Sequence, residues 1–370
     1  MFFVLEIKSI DRKGTTLNVK FDDGESIIFE DCWLRDNCRC SKCFNAATKQ
    51  RAFHILDLPD VSFQEIECNK SGLTVIWNDD HVSTYTPDFL LQFHNKIWSN
   101  SRRMAPKLWR GKVPEVARIP VHTFINSTDG AKLIFQSLLD YGLAFVEQVE
   151  PTLEATEVVC KALGGIQNTL FGGMWTISPE PGVNDTAYMN IALKQHTDLS
   201  SFTEPAGLQV FHCLQHDGIG GESVVSDGFY AANRLKEEHP EDFAFLTQYN
   251  VEAEYMFDGH SYRYAAPAIE LDRFGDLKAI RFNSFDRAPI AFDKPDDCRA
   301  YYRSMKNFAK YIEDPACQWQ FKLKPGTVLA FDNFRMLHGR TGFTGMRVIG
   351  GSYVARTDWL DKARSLELIK

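Results

Sequence analysis

One short segment, "ALKQHTDLSS" (192–201), places His196 and Asp198 two residues apart. Side chains at positions i and i+2 of an extended segment point to the same face, so the imidazole and the carboxylate can reach one ion. Such a pair forms two corners of the 2-His-1-carboxylate triad, which holds non-haem Fe(II) and leaves positions open for a co-substrate and oxygen. Taken alone, the motif is more often a solvated polar turn.

The third ligand of such a triad is expected far away in the sequence. The segment "TVLAFDNFRMLHGR" indicates an apolar strand that ends at Asp332 and Asn333, followed by His338 on the returning segment. Arg347 follows in the strand-like "MRVIGGSYVA", and its guanidinium suits a dicarboxylate. Combined with the strand pattern of the chain, His338 and Arg347 favour iron ligation over the polar turn.

A cysteine cluster could bind a second metal. The segment "DNCRCSKC" contains Cys38, Cys40 and Cys43, and His81 follows in "WNDDHVSTY". Three thiolates and one imidazole meet the tetrahedral requirement of zinc, and a site with four protein ligands is structural rather than catalytic. A disulfide or simple burial of the cysteines is the alternative, and spacing alone does not single out His81.

Aromatic residues form the third candidate group. A quaternary ammonium donates no hydrogen bond and is best held by ring faces, so Phe171, Trp175, Tyr188 and Tyr353 could wall a cage for such a cation. For any one of these rings considered alone, core packing is the ordinary interpretation.

Composition limits the classes of protein to consider. The chain has 370 residues, 44% of them hydrophobic, which is enough for a well-buried core. A net charge of −8 and the lack of a long Lys/Arg run argue against a nucleic-acid partner. No stretch of about 18 apolar residues is present, so we expect no membrane partner. The partner should be a small molecule.

The beginning of the chain and its cysteines bear on the compartment. "MFFVLEIKSIDRKG" has neither the apolar core of a secretory signal nor the acid-poor composition of a transit peptide. Nine cysteines without an export signal favour reduced thiols. We therefore expect an intracellular, soluble protein in the cytoplasm, with the mitochondrial matrix as the alternative.

The elements that must position these residues are mainly strands. Short β-rich segments predict a small β domain over 1–108, and the remaining residues, 109–370, contain many short strands without a βαβ rhythm. This pattern predicts a mainly β fold with flanking helices, organised as a jelly roll. Helices are predicted over 129–142, 154–165, 228–248 with an interruption at Pro240, and 295–314. The glycine cluster "GIGGE" (218–222) is interpreted as a tight turn rather than a phosphate loop.

Three segments, "QHTD", "EPAGLQVFHCLQHDGIGGESVVSDGFYAA" and "FDNFRMLHGRTGFTG", resemble the γ-butyrobetaine hydroxylase and trimethyllysine dioxygenase branch of the Fe(II)- and 2-oxoglutarate-dependent dioxygenases. The likeness covers nearly the whole chain. It implies a double-stranded β-helix (jelly roll) with Fe(II) on His196, Asp198 and His338, and with the distal carboxylate of 2-oxoglutarate on Arg347. O2 and 2-oxoglutarate would be co-substrates, ascorbate the reductant, and a homodimer the expected assembly.

The same resemblance implies a zinc site in the N-terminal module, which supports His81 as the fourth ligand beside the three cysteines. The module over 1–108 would then be a zinc-binding β domain, and 109–370 the dioxygenase domain. The four aromatic residues match the family's trimethylammonium cage. Phe171 departs from it, because relatives often have tyrosine there; the ring face is kept and the hydroxyl is lost.

Asp185 is the position that discriminates between the two activities of this branch. γ-Butyrobetaine ends in a carboxylate, for which the family pattern has asparagine, whereas the α-ammonium of trimethyllysine calls for an anion. Asp185 therefore favours trimethyllysine as the small cationic amino-acid substrate. Asn283 matches the amide that holds the substrate carboxylate, and Ser284 replaces an asparagine common in relatives.

The resemblance thus implies hydroxylation of free trimethyllysine at its β-carbon, the first step towards carnitine, with γ-butyrobetaine hydroxylation as the alternative. A dioxygenase for another cationic substrate is a further alternative. A non-catalytic jelly-roll binding protein belongs to a different class, and it would form no succinate and need no Fe(II).

Overall fold

The computed structural model describes residues 6–113, 115–179, 188–257 and 259–370. The chain divides into two compact units, Met1–Arg102 and Arg103–Lys370. Within the described residues, no helix is both long and apolar enough to cross a membrane.

The first unit is built from two three-stranded antiparallel sheets and a small hairpin. Its strands are β1 (Ile7–Lys13), β2 (Thr16–Phe21), β3 (Ser26–Glu30), β4 (Phe44–Asn45), β5 (Gln50–Arg51), β6 (Phe63–Asn69), β7 (Gly72–Trp77) and β8 (Val82–Tyr85). Its helices are α1 (Asp31–Asp36), α2 (Pro87–Leu91) and α3 (Asn95–Asn100).

Alternating sequences explain why these strands share a core. In β2 and β7 every second side chain is apolar and buried, as expected for strands with one covered face. Leu17, Val19 and Trp77 from these strands pack together with Leu34 of α1. The N-terminal β module predicted from the sequence therefore has a core of its own.

The second unit contains a six-stranded and a four-stranded sheet, with orders β11-β22-β13-β20-β10-β9 and β12-β21-β14-β19. The strands of the larger sheet are β9 (Arg118–Pro120), β10 (Leu143–Glu147), β11 (Met174–Ile177), β13 (Leu208–His216), β20 (Val328–Asp332) and β22 (Arg347–Val354). Those of the smaller sheet are β12 (Leu193–His196), β14 (Ser223–Asp227), β19 (Gln318–Phe321) and β21 (Met336–Arg340). Two hairpins complete the strands: β15 (Asn250–Phe257) with β16 (His260–Pro267), and β17 (Ile269–Leu271) with β18 (Leu277–Ile280).

Helices cover the outer sides of this unit. They are α4 (Val121–Asn126), α5 (Thr128–Tyr141), α6 (Leu153–Leu163), α7 (Gly228–Glu238), α8 (Pro240–Gln248), α9 (Pro295–Glu313) and α10 (Arg356–Ser365). Helix α5 begins after Ser127, whose hydroxyl accepts a hydrogen bond from the Gly130 N–H, and ends at Gly142 with a φ of +79°. Its apolar side packs with α6 against the larger sheet.

The inner faces of the two sheets pack against each other. Phe145, Leu329 and Ile349 of the larger sheet share a buried cluster with Val225 and Trp319 of the smaller sheet. This two-layer arrangement agrees with the predicted mainly β fold with flanking helices.

The local predictions agree closely with the observed elements. The predicted helices over 129–142, 154–165 and 295–314 correspond to α5, α6 and α9, and Pro240 separates α7 from α8 as the first residue of α8. The "GIGGE" segment connects β13 to β14, with positive φ at Gly220 and Gly221. It is a turn, as predicted, and no helix follows it directly.

Candidate metal centres and substrate cavity

Strand pairing brings the candidate iron ligands together. In the smaller sheet β12 runs antiparallel to β21, and His196 is the direct partner of His338. The two imidazole centroids are 4.3 Å apart. Oδ1 of Asp198 lies 3.2 Å from Nε2 of His196 and 3.6 Å from Nε2 of His338. The three predicted residues thus direct one ligand atom each towards a common point.

Hydrogen bonds fix the orientation of two of the three ligands, His196 and Asp198. Nδ1 of His196 lies 2.9 Å from the Lys194 carbonyl, to which it donates, so Nε2 is the nitrogen that can bind a metal in the neutral imidazole. Oδ2 of Asp198 accepts from the Gln209 amide at 2.6 Å and from the Tyr353 hydroxyl at 2.9 Å. Only Oδ1 is therefore directed at the two histidines.

Asn333 holds the backbone of the carboxylate ligand. Its side-chain oxygen accepts from the Asp198 N–H at 2.8 Å, and its amide donates to the Asp198 carbonyl at 3.0 Å. Since Asn333 immediately follows β20, this double contact ties the loop after β12 to the larger sheet.

The electrostatics of the metal-free cluster favour an ionised carboxylate. Burial opposes ionisation of Asp198, but His338, His196 and the Tyr353 hydroxyl outweigh it and hold its pKa well below the usual range. Burial and the neighbouring His196 lower the pKa of His338 to about 3. Burial also acts to lower the pKa of His196, but its hydrogen bond to Asp198 raises it overall. The cluster therefore offers a carboxylate and a neutral imidazole at neutral pH.

This donor set fits a divalent iron ion. Ligand atoms about 2.1 Å from a metal and at right angles to each other are separated by about 3 Å, near the separations observed here. Three protein donors from one side leave further coordination positions for other ligands.

Two cavities meet at His196 and Asp198. The first, which we call the arginine cavity, also includes Gln209, His338 and Arg347. Arg347 is buried, its Nε has no hydrogen-bond partner, and it forms no salt bridge within the described part of the chain. Burial lowers its pKa, because the charged guanidinium is poorly solvated there. A carboxylate ligand in this cavity would satisfy that charge.

The second, which we call the aromatic cavity, also borders His196 and Asp198 but not His338 or Arg347. Its described lining includes seven phenylalanine, tyrosine and tryptophan side chains: Phe171, Trp175, Tyr188, Phe202, Tyr255, Phe285 and Tyr353. The Trp175 ring lies 5.6 Å from that of Tyr353, and the Phe171 ring 5.9 Å from that of Tyr255. Its described lining residues include Asp198 and Asp286 but no lysine or arginine. The cavity is therefore suited to a cation.

The structure brings together most of the residues proposed for the substrate. The four predicted cage residues all line the aromatic cavity, as does Asn283. The side-chain oxygen of Asn283 accepts from the backbone N–H groups of Phe285 and Asp286, and its amide donates to the Asp286 carboxylate at 2.7 Å. Asp185 lies outside the described residues, and Ser284 is exposed beside the cavity.

Sequence reasoning missed several residues of this site. Gln209 and Asn333 orient Asp198, and Tyr255 adds a ring from the β15 hairpin. No short motif marks these residues, because each reaches the site through strand pairing or packing of a distant segment. For Asn333 the sequence alone predicts only the end of a strand.

The cysteine cluster lies in the first unit, on the segment after α1. His81 Nε2 is 3.3 Å from Sγ of Cys38, 3.7 Å from that of Cys40 and 3.6 Å from that of Cys43. A tetrahedral zinc with ordinary bond lengths separates sulfur and nitrogen ligands by about 3.6 Å. The four predicted residues therefore fit a zinc ion.

A buried cation accompanies these thiols. Arg35 of α1 directs one N–H towards Cys43 Sγ at 3.4 Å and forms a 3.1 Å ion pair with Asp79. Asp79 in turn accepts from the His81 backbone N–H. Three thiolates around a divalent ion leave a net negative charge, which the guanidinium partly offsets.

Comparisons with known proteins agree with this geometry. The model of the taurine catabolism dioxygenase TauD, TfdA family matches residues 102–353, and that of the gamma-butyrobetaine hydroxylase-like N-terminal family matches residues 8–91. Mitochondrial trimethyllysine dioxygenase of Bos taurus is 36% identical over 353 residues, which cover 92% of this chain and 83% of the relative.

Two further comparisons concern a related activity and the fold. Gamma-butyrobetaine dioxygenase of Pseudomonas sp. strain AK-1 is 31% identical over 363 residues, covering 95% of this chain and 94% of the relative. A crystal structure of a taurine dioxygenase from Burkholderia xenovorans has a TM-score of 0.52 at 14% identity, covering 69% of this chain and 91% of that chain. The chain therefore belongs to the TauD, TfdA family of Fe(II)- and 2-oxoglutarate-dependent dioxygenases.

Proposed function

We propose that this enzyme hydroxylates the β-carbon of free trimethyllysine, with O2 and 2-oxoglutarate as co-substrates, giving 3-hydroxy-trimethyllysine, succinate and CO2. The observation that carries the proposal is an aromatic cavity, without a described lysine or arginine in its lining, that opens on His196 and Asp198. Relatives named trimethyllysine dioxygenase support the choice of substrate.

His196, Asp198 and His338 would hold Fe(II), which when bound supplies the oxidation of the substrate C–H bond at the expense of 2-oxoglutarate. The chain supplies the orientation of these ligands. Gln209 and Tyr353 occupy Oδ2 of Asp198, so the carboxylate presents a single oxygen. A carboxylate that binds through one oxygen would leave more coordination positions available than one that binds through two.

Arg347 would bind the distal carboxylate of 2-oxoglutarate in the arginine cavity. Apolar side chains of the two sheets, including Phe211 and Leu329 of the larger sheet and Val225 of the smaller sheet, line that cavity and would shield the pair from water. A charge-assisted pair is strengthened by this exclusion.

Phe171, Trp175, Tyr188 and Tyr353 would receive the trimethylammonium group on their ring faces. A cation held at a fixed distance from the iron ligands places one carbon of the substrate chain near the metal. Asn283 and Asp185 remain proposals for the carboxylate and α-ammonium of the substrate.

The remaining parts of the proposal concern the architecture. The two packed sheets of the second unit support a double-stranded β-helix. The fit of Cys38, Cys40, Cys43 and His81 supports structural zinc in a domain over 1–108, with the dioxygenase domain over 109–370. Ascorbate as reductant and a homodimer as assembly belong to the same proposal.

The test is an assay of purified protein with Fe(II), ascorbate, 2-oxoglutarate and either trimethyllysine or γ-butyrobetaine. Succinate and the hydroxylated product are measured together, because succinate alone also reports uncoupled turnover. We expect product from trimethyllysine that requires Fe(II) and 2-oxoglutarate. Absence of product from trimethyllysine in the presence of both would refute the proposal.

γ-Butyrobetaine hydroxylation is the second candidate, since a bacterial gamma-butyrobetaine dioxygenase is similar to nearly the whole chain. Both substrates carry the same trimethylammonium group, so the cage does not separate them. The two differ at the α-ammonium, and comparing both substrates on the Asp185→Asn variant tests whether that residue sets the preference.

A further inference from the structure

The glycine-rich turn "GIGGE" (218–222) packs against the side chain of Arg347. Gly221 has a φ of +68°, which favours glycine, and a Cβ on this residue would lie 2.8 Å from Nε2 of His216 and 3.0 Å from Cδ of Arg347. Both distances are shorter than ordinary van der Waals contacts. Because Gly221 has no side chain, the His216 ring and the Arg347 side chain can lie close to each other.

Strand pairing places the same two residues opposite each other. His216 is the last residue of β13, and its direct antiparallel partner in β22 is Arg347. Directly opposed residues project from the same face of a sheet, with their Cβ atoms about 5 Å apart. The ring of Phe343, whose centroid lies 5.7 Å from Cζ of Arg347, packs beside the guanidinium. The imidazole and the phenyl ring therefore both belong to the surroundings of this guanidinium.

Two buried polar groups in this neighbourhood lack partners. Nε of Arg347 and both ring nitrogens of His216 are buried and make no hydrogen bond within the described ranges. Burial is the main cause that lowers the pKa of His216, and the cations Lys322 and Arg347 add to it. The Gly220 carbonyl and Glu222 oppose this shift without reversing it, so the imidazole is neutral at neutral pH. A neutral imidazole has one lone pair with which to accept an N–H.

We propose that His216 is a positioning residue for the co-substrate, in which Nε2 accepts a hydrogen bond from Nε of Arg347 and aims the guanidinium into the arginine cavity. An arginine held at Nε still offers its two terminal nitrogens to a carboxylate as a bidentate pair. A small rotation of either side chain makes the bond, since the two groups are cross-strand neighbours. The inference rests on the proposed function and extends it, because it names a second residue that sets the affinity for 2-oxoglutarate.

A neutral acceptor suits this position better than a carboxylate would. An arginine side chain has many rotamers, and ordering them when a ligand binds lowers the affinity for that ligand. His216 would order Arg347 in advance without neutralising its charge. A carboxylate at the same place would compete with the co-substrate for the guanidinium.

The test separates the distal carboxylate from the rest of the co-substrate. His216→Phe keeps a ring and removes the acceptor, His216→Leu removes it with a smaller side chain, and His216→Gln keeps an acceptor near the position of Nε2. Each holoenzyme variant is titrated by anaerobic calorimetry with 2-oxoglutarate and with 2-oxopentanoate, in which a methyl group replaces the distal carboxylate. We expect the acceptor-free variants to bind 2-oxoglutarate about tenfold more weakly, as for loss of a hydrogen bond to a charged group, and 2-oxopentanoate less than about threefold more weakly.

Steady-state kinetics give a second readout. In His216→Phe the KM for 2-oxoglutarate should rise about tenfold while kcat changes less than about threefold, and His216→Gln should recover most of the loss. In the Arg347→Met background, His216→Phe should have almost no further effect, because the interaction that it removes is already absent. His122→Phe changes an exposed histidine of α4 and is the matched control, which should leave all values unchanged.

An equal loss of affinity for both oxo acids would overturn the inference, because His216 would then act only through the packing of the turn. Effects of His216→Phe and Arg347→Met that simply add would overturn it too, and so would unchanged binding of 2-oxoglutarate in both acceptor-free variants. Failure of the proposed function is a separate outcome, recognised when the unmodified enzyme forms no hydroxylated product from trimethyllysine. The titrations with the two oxo acids need no substrate and test His216 in that case as well.

Discussion

The two metal-competent clusters of this chain differ in how their ligands are assembled and in what they leave open. The cysteine cluster takes three ligands from one short segment of the first unit, and four donors converge on one point. The triad takes one histidine from each of two strands far apart in the sequence, β12 and β21, and its carboxylate from the turn after β12, and three donors converge beside two cavities. Four donors saturate a tetrahedral ion, whereas three leave room for chemistry.

The arginine beside each cluster shows the same difference between a closed and an open site. Arg35 partly offsets the charge of the thiolates and is itself paired with Asp79. Beside the triad, Arg347 is buried with no described salt bridge. A paired cation stabilises a closed site, while an unpaired one requires a ligand from outside the chain.

The largest expected effect separates the two clusters directly. His338→Ala removes one of three iron ligands, and we expect kcat/KM to fall by at least about 1,000-fold, since changes to residues that merely support ligands cost about 10- to 100-fold. Metal analysis of the purified variant should show iron lost and zinc retained. Retained iron and turnover would remove His338 from the site.

Cys40→Ser is the reciprocal change. Cys40 is partly exposed, so the substitution disturbs packing less than one at Cys38 or Cys43. We expect zinc affinity to fall more than about 100-fold and the first unit to unfold at lower denaturant concentration, because zinc binding adds to folding free energy. Metal analysis and denaturant titration check this. If the variant lost iron together with zinc, the two metal sites would not be independent of each other.

The two clusters also differ in how far their ligands could be predicted from the sequence. Cys38, Cys40 and Cys43 are close in sequence, so their cluster follows from spacing alone. Helix α5 follows likewise from the apolar period over 129–142 and the glycine at its end, Gly142. Such features are local.

The pairing of His196 with His338 depends on the register of β12 and β21, which spacing does not fix. The strand pattern made His338 a candidate, and the family resemblance then implied that it joins His196 and Asp198. Gln209, Tyr255 and Asp286 were not predicted, because each joins the site through non-local packing and none belongs to a short motif. Asp185 lies outside the described residues, so its role stays a prediction.

Arg347→Met sharpens the contrast between the paired and the unpaired guanidinium. The substitution keeps most of the apolar volume and removes the charge that would bind 2-oxoglutarate. We expect the KM for 2-oxoglutarate to rise about 10- to 100-fold, with iron and zinc content unchanged. Steady-state kinetics with varied 2-oxoglutarate measure this. An unchanged KM would place the co-substrate elsewhere.

The smallest expected effect concerns competition between protons and metal. Burial raises the pKa of the Cys43 thiol to about 11 in the metal-free protein, so this ligand is protonated at neutral pH and zinc must displace its proton. Zinc affinity should therefore rise about tenfold per pH unit, or more, between pH 7 and 9. Chelator competition at several pH values measures the slope.

At the triad, protons compete less with the metal, because Asp198 is held ionised and the pKa of His338 is about 3. Neither of these ligands binds a proton at neutral pH, and only His196, whose pKa is raised, can release one. Iron affinity should therefore rise by at most about tenfold per pH unit and level off once His196 is neutral, whereas the zinc slope continues towards the pKa of Cys43. A zinc affinity independent of pH between 7 and 9 would show that Cys43 is already a thiolate, and the two clusters would then not differ in this respect.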